Sequence, residues 1–323
     1  MTANPKVAVI SVSWNSAEHT VECVKSLLRS SYDNFTINII DNGSKHSDLA
    51  ILDAIKSEKV RIHRLDKNYG YVGGVNRGLK IAEKQKPDYY LVLNNDVVVD
   101  SEALQELVMA AQRHDNQCIV TGIVYDYYQK DLIQQIGAVF QDKKNLTFKS
   151  VCSNQRDPGF IDTDLEMDAI DDVFWLLPHA VFKFVGFYSD DFWFNNEQAD
   201  YALRAVKAGN KLIFTPKAKI WHKGSVSIGG KDNNPVREYY DTKSRLIFRY
   251  KHMKKSTFCA YYFNIMFVIL YGTIKQSIVA ALKRDSRLNV QIAKVLGFVD
   301  FHKWFMLRNP DQGNVPRVLK RWT

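Results

Sequence analysis

Asn94, Asn95 and Asp96 interrupt an otherwise apolar run from Tyr89 to Val99. The segment before them reads as a buried parallel strand, and in an open α/β sheet ligands gather at the carboxyl ends of such strands. A single carboxylate flanked by two amides suits a hard divalent cation, Mn2+ or Mg2+, that takes its other oxygens from substrate phosphates and water. The plainer reading is a turn capped by Asp96. A second acidic group, Glu197 with Asp200, stands at i and i+3 where a helix begins, just after Phe192, Trp193 and Phe194. Apolar neighbours raise a carboxyl's proton affinity, which is what a general base needs; stabilisation of a helix start is the competing role. Asp200 and Arg204, at i and i+4, read as a supporting ion pair, leaving Glu197 the freer acid and Asp200 its substitute. Farther on, His222, Lys223 and Ser225 place an imidazole, an ammonium and a hydroxyl after the last core strand. That set suits metal contact by His222 and phosphate contact by its neighbours.

These groups need a frame to bring them together. Val7–Val12, Phe35–Ile40, Val60–Leu65 and Tyr89–Leu93 read as four strands, each emptying into a polar loop before Asp100. Val21, Val24, Leu27 and Leu28 recur at helical spacing after Asn15 and Ser16, either of which could cap that helix. Alternating strands and helices predict a right-handed α/β sheet, mostly parallel and flanked by helices, with its polar loops on one edge. Asp41, ending the second strand, could accept hydrogen bonds from a base or ribose, or hold an Asx turn. Gly70–Gly78 reads as a glycine-rich loop that lets a ligand approach the backbone, with Asn68, Asn76 and Arg77 as donors. Cys118–Tyr125, Phe174–Leu177 and Lys211–Thr215 read as further strands, the last stopping before Pro216. A helix is predicted over Ala199–Ala208. Residues 129–172 are mixed.

At 323 residues, 46% of them hydrophobic, the chain can bury a full core. Four scattered cysteines with no Cys-x-x-Cys pair point to reduced thiols and a cytosolic setting, and no basic-then-apolar leader precedes Val7. Residues 235–323 hold 17 Lys+Arg against 5 Asp+Glu, so they carry all of the net positive charge of +9. The chain therefore divides into a near-neutral body, 1–234, and a basic, largely helical region, 235–323. Ser256–Thr273 is chargeless and apolar with cations on either side, which predicts a buried or interfacial helix against an anionic leaflet rather than a span. Packing against the sheet or against a second subunit, as in a homo-oligomer, is the alternative. No nucleic-acid-binding pattern is present.

Val12-Ser13-Trp14-Asn15, Ile40-Asp41-Asn42-Gly43-Ser44, Asn68-Tyr69-Gly70 with Gly73-Gly74-Val75-Asn76, Leu93-Asn94-Asn95-Asp96, Glu197–Arg204 and Trp221-His222-Lys223-Gly224-Ser225 occur in an order that resembles family-two inverting nucleotide-sugar glycosyltransferases of GT-A fold, particularly the bacterial rhamnosyltransferase-like branch. The resemblance runs from Val7 to Arg249. It implies that Ser13, Asn15, Asp41, Asn68, Gly74, Asn76, Asn94 and Asn95 hold the nucleotide of a dTDP- or UDP-linked sugar. It further implies that Asp96 holds the metal, that the Glu197 region supplies the base, and that the acceptor is a glycan or lipid-linked glycan of bacterial surface polysaccharide at the inner face of the cell membrane. Two departures stand out: one acid rather than two at Asp96, and Glu197-Gln198 where the family commonly has Glu-Asp. A base-impaired sugar-nucleotide-binding or scaffold protein and a nucleotidyltransferase are the competing readings.

Overall fold

The computed structural model describes residues 4–159, 161–224, 234–283, 287–311, 313 and 315–322. The strands are β1 (Val7–Ser13), β2 (Phe35–Asp41), β3 (Val60–Arg64), β4 (Tyr89–Leu93), β5 (Val97–Val99), β6 (Cys118–Asp126), β7 (Leu132–Gln135), β8 (Ala138–Asp142), β9 (Thr147–Ser150), β10 (Gln155–Arg156), β11 (Leu165–Glu166), β12 (Phe174–Pro178) and β13 (Lys211–His222). The helices are α1 (Ala17–Leu27), α2 (His46–Asp53), α3 (Gly70–Glu83), α4 (Ala103–Arg113), α5 (His179–Val185), α6 (Glu197–Lys207), α7 (Pro235–His252), α8 (Lys255–Lys283) and α9 (Arg287–Leu307).

The main sheet runs β10-β7-β6-β12-β4-β1-β2-β3, and β13 pairs with β5, β6 and β11 beside this path. Strands β3, β2, β1 and β4 are mutually parallel, as are β13 and β6. Strand β12 inverts between β4 and β6, so the sheet is mixed at its centre. Side chains alternate across it. Val7 and Val9 face a layer that includes α1 and α4, while Ala8 and Ile10 face α3, α6 and α7. Each fully buried aliphatic side chain in these layers contributes about 1.5–3 kcal/mol.

Three sequence expectations change. The expected loop Gly70–Gly78 is the start of α3, and its glycines serve packing: a Cβ on Gly78 would lie 2.4 Å from Ile10, and one on Gly74 would lie 2.8 Å from Val12. Strand β13 does not stop at Thr215. It continues through Pro216 by shifting register between Phe214 and Lys219, a bulge that absorbs the proline's missing donor. Ser16 precedes α1 but makes no side-chain cap; Ala17 N donates to Asp48 Oδ1 instead.

The boundary at residue 234 does not separate two cores. Leu246, Ile247 and Phe248 of α7 lie in the same cluster as Ile10 and Trp175 of the sheet. Helix α9 seats on α7, where a Cβ on Gly297 would meet Tyr239 O at 2.5 Å, and Trp304 Nε1 donates to Asp191 at 2.8 Å. The indole of Trp193 is held between Gly70 and Gly313, with ring atoms 2.5 Å and 2.4 Å from where their Cβ atoms would be. The four cysteines are free.

Candidate active site

Parallel pairing brings the ends of β1, β2 and β4 to one edge, with Ser13 opposite Asp41 in register. The loops beyond them are laced together. Asn15 N donates to Ser44 Oγ and Lys45 N donates to Asn15 Oδ1, both at 2.9 Å. Asn42, outside the expected set, donates to Asn68 Oδ1 at 3.0 Å and to Gly70 O at 2.9 Å, and accepts from Tyr69 N. Asp41 is buried and accepts from Ser44 N at 3.2 Å. That is the Asx turn the sequence left open.

Several residues expected to contact nucleotide are engaged within the protein. Ser13 is fully buried and accepts from Thr20 Oγ1. Asn95 donates to Ser16 Oγ at 2.7 Å and Thr20 Oγ1 at 2.8 Å, fastening the β4–β5 turn to α1. Asn76 donates to Tyr188 O and Asp190 Oδ1 and accepts from Tyr188 N, so it clamps α3 to the 188–190 segment. Gly74 lies within α3, packed on Val12. These side chains set the shape of the edge; of the expected set, Asn15 is exposed and Asn94 half-buried, while Asp41 lies buried at the end of β2.

Asp96 and His222 meet where β13 returns alongside β5, with His222 paired to Val97. His222 Nε2 lies 3.2 Å from Asp96 Oδ1. Gln134 Nε2 donates to Asp126 Oδ2 at 3.1 Å and to His222 O at 2.9 Å, which leaves its Oε1, 2.9 Å away, to accept from His222 Nδ1–H. In the neutral ring the Nε2 lone pair then faces a carboxylate oxygen. That arrangement calls for a proton or a cation between them, and it matches the way metal-bound histidines are oriented by a partner on the other nitrogen. Burial pushes Asp96 upward, but the bond and charge of His222 outweigh it and hold the carboxyl below its usual range.

The third group was missed in the sequence. Asp171 and Asp172 precede β12, and the residue that links them to it, Val173, accepts from Asn94 N at 3.0 Å, tying this segment to the Asp96 loop. Tyr188 donates to Asp172 Oδ2 at 3.0 Å, and burial together with the Asp171 charge pushes the Asp172 carboxyl up to about 8. Burial raises Asp171 as well, while the His222 charge and the Gln198 amide oppose it. Gln198, the departure noted in the sequence, faces an acid instead of replacing one in isolation. The only signal available beforehand was the Asp-Asp pair abutting the apolar run Val173–Leu177.

Glu197 opens α6 after Asn195 and Asn196, both in left-handed conformation (φ 67° and 65°). Such turns aim a helix start inward and are tolerated best by Asn and Gly. Glu197 is 3% exposed and its Oε2 has no hydrogen-bond partner. Burial, then the Asp172 charge, raises its carboxyl well above the ordinary value. Asp200 behaves differently. Burial is outweighed by His252, Lys251 and Arg204, which hold it at about 2, with Arg204 Nε at 2.9 Å and His252 Nε2 at 2.8 Å. The ion pair expected with Arg204 is present, and the role of substitute base does not fit so acidic and so engaged a group.

Lys223 is also committed: it pairs with Glu22 and lies 2.8 Å from His19 Nδ1, closing β13 onto α1. Ser225 lies outside the described residues. Among the described residues no cluster of three or more His, Cys, Asp or Glu side chains could hold a metal by itself. Asp96 and His222 offer two ligands, which fits a Mg2+ or Mn2+ that completes its shell with diphosphate and water.

Residues 8–166 match the family model of glycosyl transferase family 2. Glycosyltransferase GlyG of Streptococcus pneumoniae is 27% identical over 127 residues, 39% of this chain and 41% of that protein. Succinoglycan biosynthesis protein ExoO of Rhizobium meliloti is 26% identical over 119 residues, 37% and 33% of the two chains. The matched stretches thus span less than half of these relatives' length. Among solved structures, GalNAc-T7 with UDP, GalNAc and Mn2+ superposes with TM-score 0.63 at 15% identity, covering 95% of this chain and 56% of that one. Mannosyltransferase PcManGT of Pyrobaculum calidifontis with GDP-Man and Mn2+ gives 0.55 at 11%, covering 93% and 88%, and residues 1–349 of S. aureus TarS with UDP-GlcNAc give 0.56 at 14%, covering 92% and 80%. The chain therefore has a GT-A type α/β fold, and its residues 8–166 carry the glycosyl transferase family 2 match.

Proposed function

We propose that the protein is an inverting glycosyltransferase that moves a sugar from a nucleoside-diphosphate donor to a hydroxyl of a glycan acceptor. The reading rests on a close pair suited to a cation, Asp96 with His222, and on a buried carboxyl with an unpartnered oxygen, Glu197, whose acidic neighbour Asp172 lies in the segment bonded to the Asp96 loop through Asn94 N and Val173 O. Nucleotide sugars bound in the solved relatives and the family match of residues 8–166 support it. Asp41, Asn15 and Asn94 contact the nucleotide, and Asp96 with His222 holds the divalent ion. The ion, when bound, neutralises charge developing on the departing diphosphate. Glu197 accepts the acceptor hydroxyl's proton as that oxygen attacks the anomeric carbon from the face opposite the leaving group. Its raised proton affinity suits the task, and Asp172 and Asp171 sustain it. The rhamnosyl branch, a lipid-linked surface-polysaccharide acceptor and a dTDP or UDP base are finer parts of the same proposal.

Assay of a sugar-nucleotide panel with Mn2+ and Mg2+, with the product's anomeric configuration read by NMR, tests it. Inversion with one donor is expected, and Asp96→Ala is expected to remove metal-dependent nucleotide binding in calorimetry. A wild-type protein that binds nucleotide with metal but turns over no donor favours the binding-protein alternative.

A further inference from the structure

Helix α8 is the outer member of a hairpin. Its inner face packs on α9, with Phe258 against Phe301 at 6.1 Å, Tyr262 against Phe298 at 5.4 Å, and the Tyr262 hydroxyl 2.6 Å from His302 Nε2. The opposite face is apolar and open. Phe263, Phe267, Leu270, Tyr271, Ile274 and Ile278 recur at spacings of four, three, one, three and four, a single stripe in which every member is between 52% and 70% exposed. Patches of this kind mark interaction sites on soluble domains. The helix holds no Asp or Glu, and exposed Lys254 and Lys255 bound one end while exposed Lys275 borders the stripe. At the close of α9, Met306 and Leu307 are 77% and 65% exposed.

We propose that this face docks on an anionic phospholipid bilayer, with α8 lying in the headgroup plane. Apolar side chains entering the acyl boundary while lysines meet lipid phosphates is the pattern that holds interfacial helices. Residues 255–279 are long and apolar enough to cross a membrane, with mean hydropathy 1.5, and only 11% of the window is buried. Crossing conflicts with the hairpin: α9 would be drawn in with Asp300, His302 and Lys303, and Asp300 is bonded to Tyr239 of α7 at 2.5 Å. Self-pairing of the stripe between two copies would set lysines of one against lysines of the other, whereas an anionic surface complements them. The inference rests on surface chemistry and is independent of the donor and base assignments.

The test is flotation of the full chain with phosphatidylcholine vesicles, with and without phosphatidylglycerol, at low and high salt, alongside light scattering without lipid. Binding that requires phosphatidylglycerol and weakens with salt is expected. Lys254→Glu with Lys255→Glu, and separately Phe267→Glu with Ile274→Glu, are expected to weaken it about tenfold or more, with thermal unfolding unchanged. The lysine pair lies off the apolar stripe, so it remains informative if the stripe variant unfolds. Binding indifferent to lipid charge, a dimer abolished by the stripe variant, or retention in membranes through high salt and alkaline carbonate each overturns the proposal.

Discussion

Glu197 and Asp200 sit one helical turn apart and have opposite proton affinities, because one is surrounded by acids and the other by cations. Glu197→Gln is predicted to lower kcat by about two to four orders of magnitude with KM for donor little changed; steady-state transfer assays read this directly. Since the base must be ionised to work, the rate is predicted to rise with pH along an acidic limb set by Glu197. Asp172→Asn removes a negative neighbour, lowers Glu197's proton affinity and is predicted to shift that limb to lower pH. An unmoved limb would show that Asp172 does not act on Glu197. Asp96, Glu197 and His222 could be picked out from sequence because a polar group directly after an apolar strand, or opening a helix, has a predictable address. Asp171 and Gln134 could not, since their importance arises only from what lies across from them in space. Asn76 and Ser13, expected to contact nucleotide, instead turn inward to bond the protein, Asn76 from within α3.

Helices α3 and α6 govern the edge by how closely they approach the sheet. Gly78→Ala would force a Cβ into Ile10 and Ile40, and is predicted to cost about 1–3 kcal/mol as overpacking, read as a lowered denaturation midpoint. Asp200 fastens α6 to α7. Its carboxyl is held at about 2 against about 3.9 in an unfolded chain, so its stabilisation is complete above about pH 4 and is lost as pH falls toward 2. Asp200→Asn is predicted to remove about 2–3 kcal/mol at neutral pH and to flatten the acid side of the stability curve. The strand pattern was legible because full burial on both faces leaves long apolar runs. Helix α3 was misread as a loop because glycine's local preference opposes helix, and only the tight fit against β1 and β2 reverses it.

Across the whole molecule, charge and covering divide differently from the core. The basic C-terminal region begins at residue 235 by composition, yet α7 is built into the sheet's core and α9 reaches back to Asp191 and Tyr239. Truncation after His252 is therefore predicted to lower thermal stability and abolish transfer together, since it removes Trp304 from Asp191 and Asp311 from Lys243. A truncated chain that keeps full activity would show that the C-terminal helices serve only docking. Composition revealed the boundary in charge and was blind to the boundary in packing, because aromatic residues such as Tyr239 and Trp304 satisfy either a core or a surface.

Trp193, clasped between Gly70 and Gly313, joins the start of α3 to the segment beyond α9 only a few positions before Glu197. During synthesis the sheet can assemble early, but the indole has no second wall until the ribosome has passed Gly313. The stretch that leads into Glu197 thus gains its full setting only after residue 313 has joined the fold, and a nascent chain shorter than that is predicted to lack the finished edge.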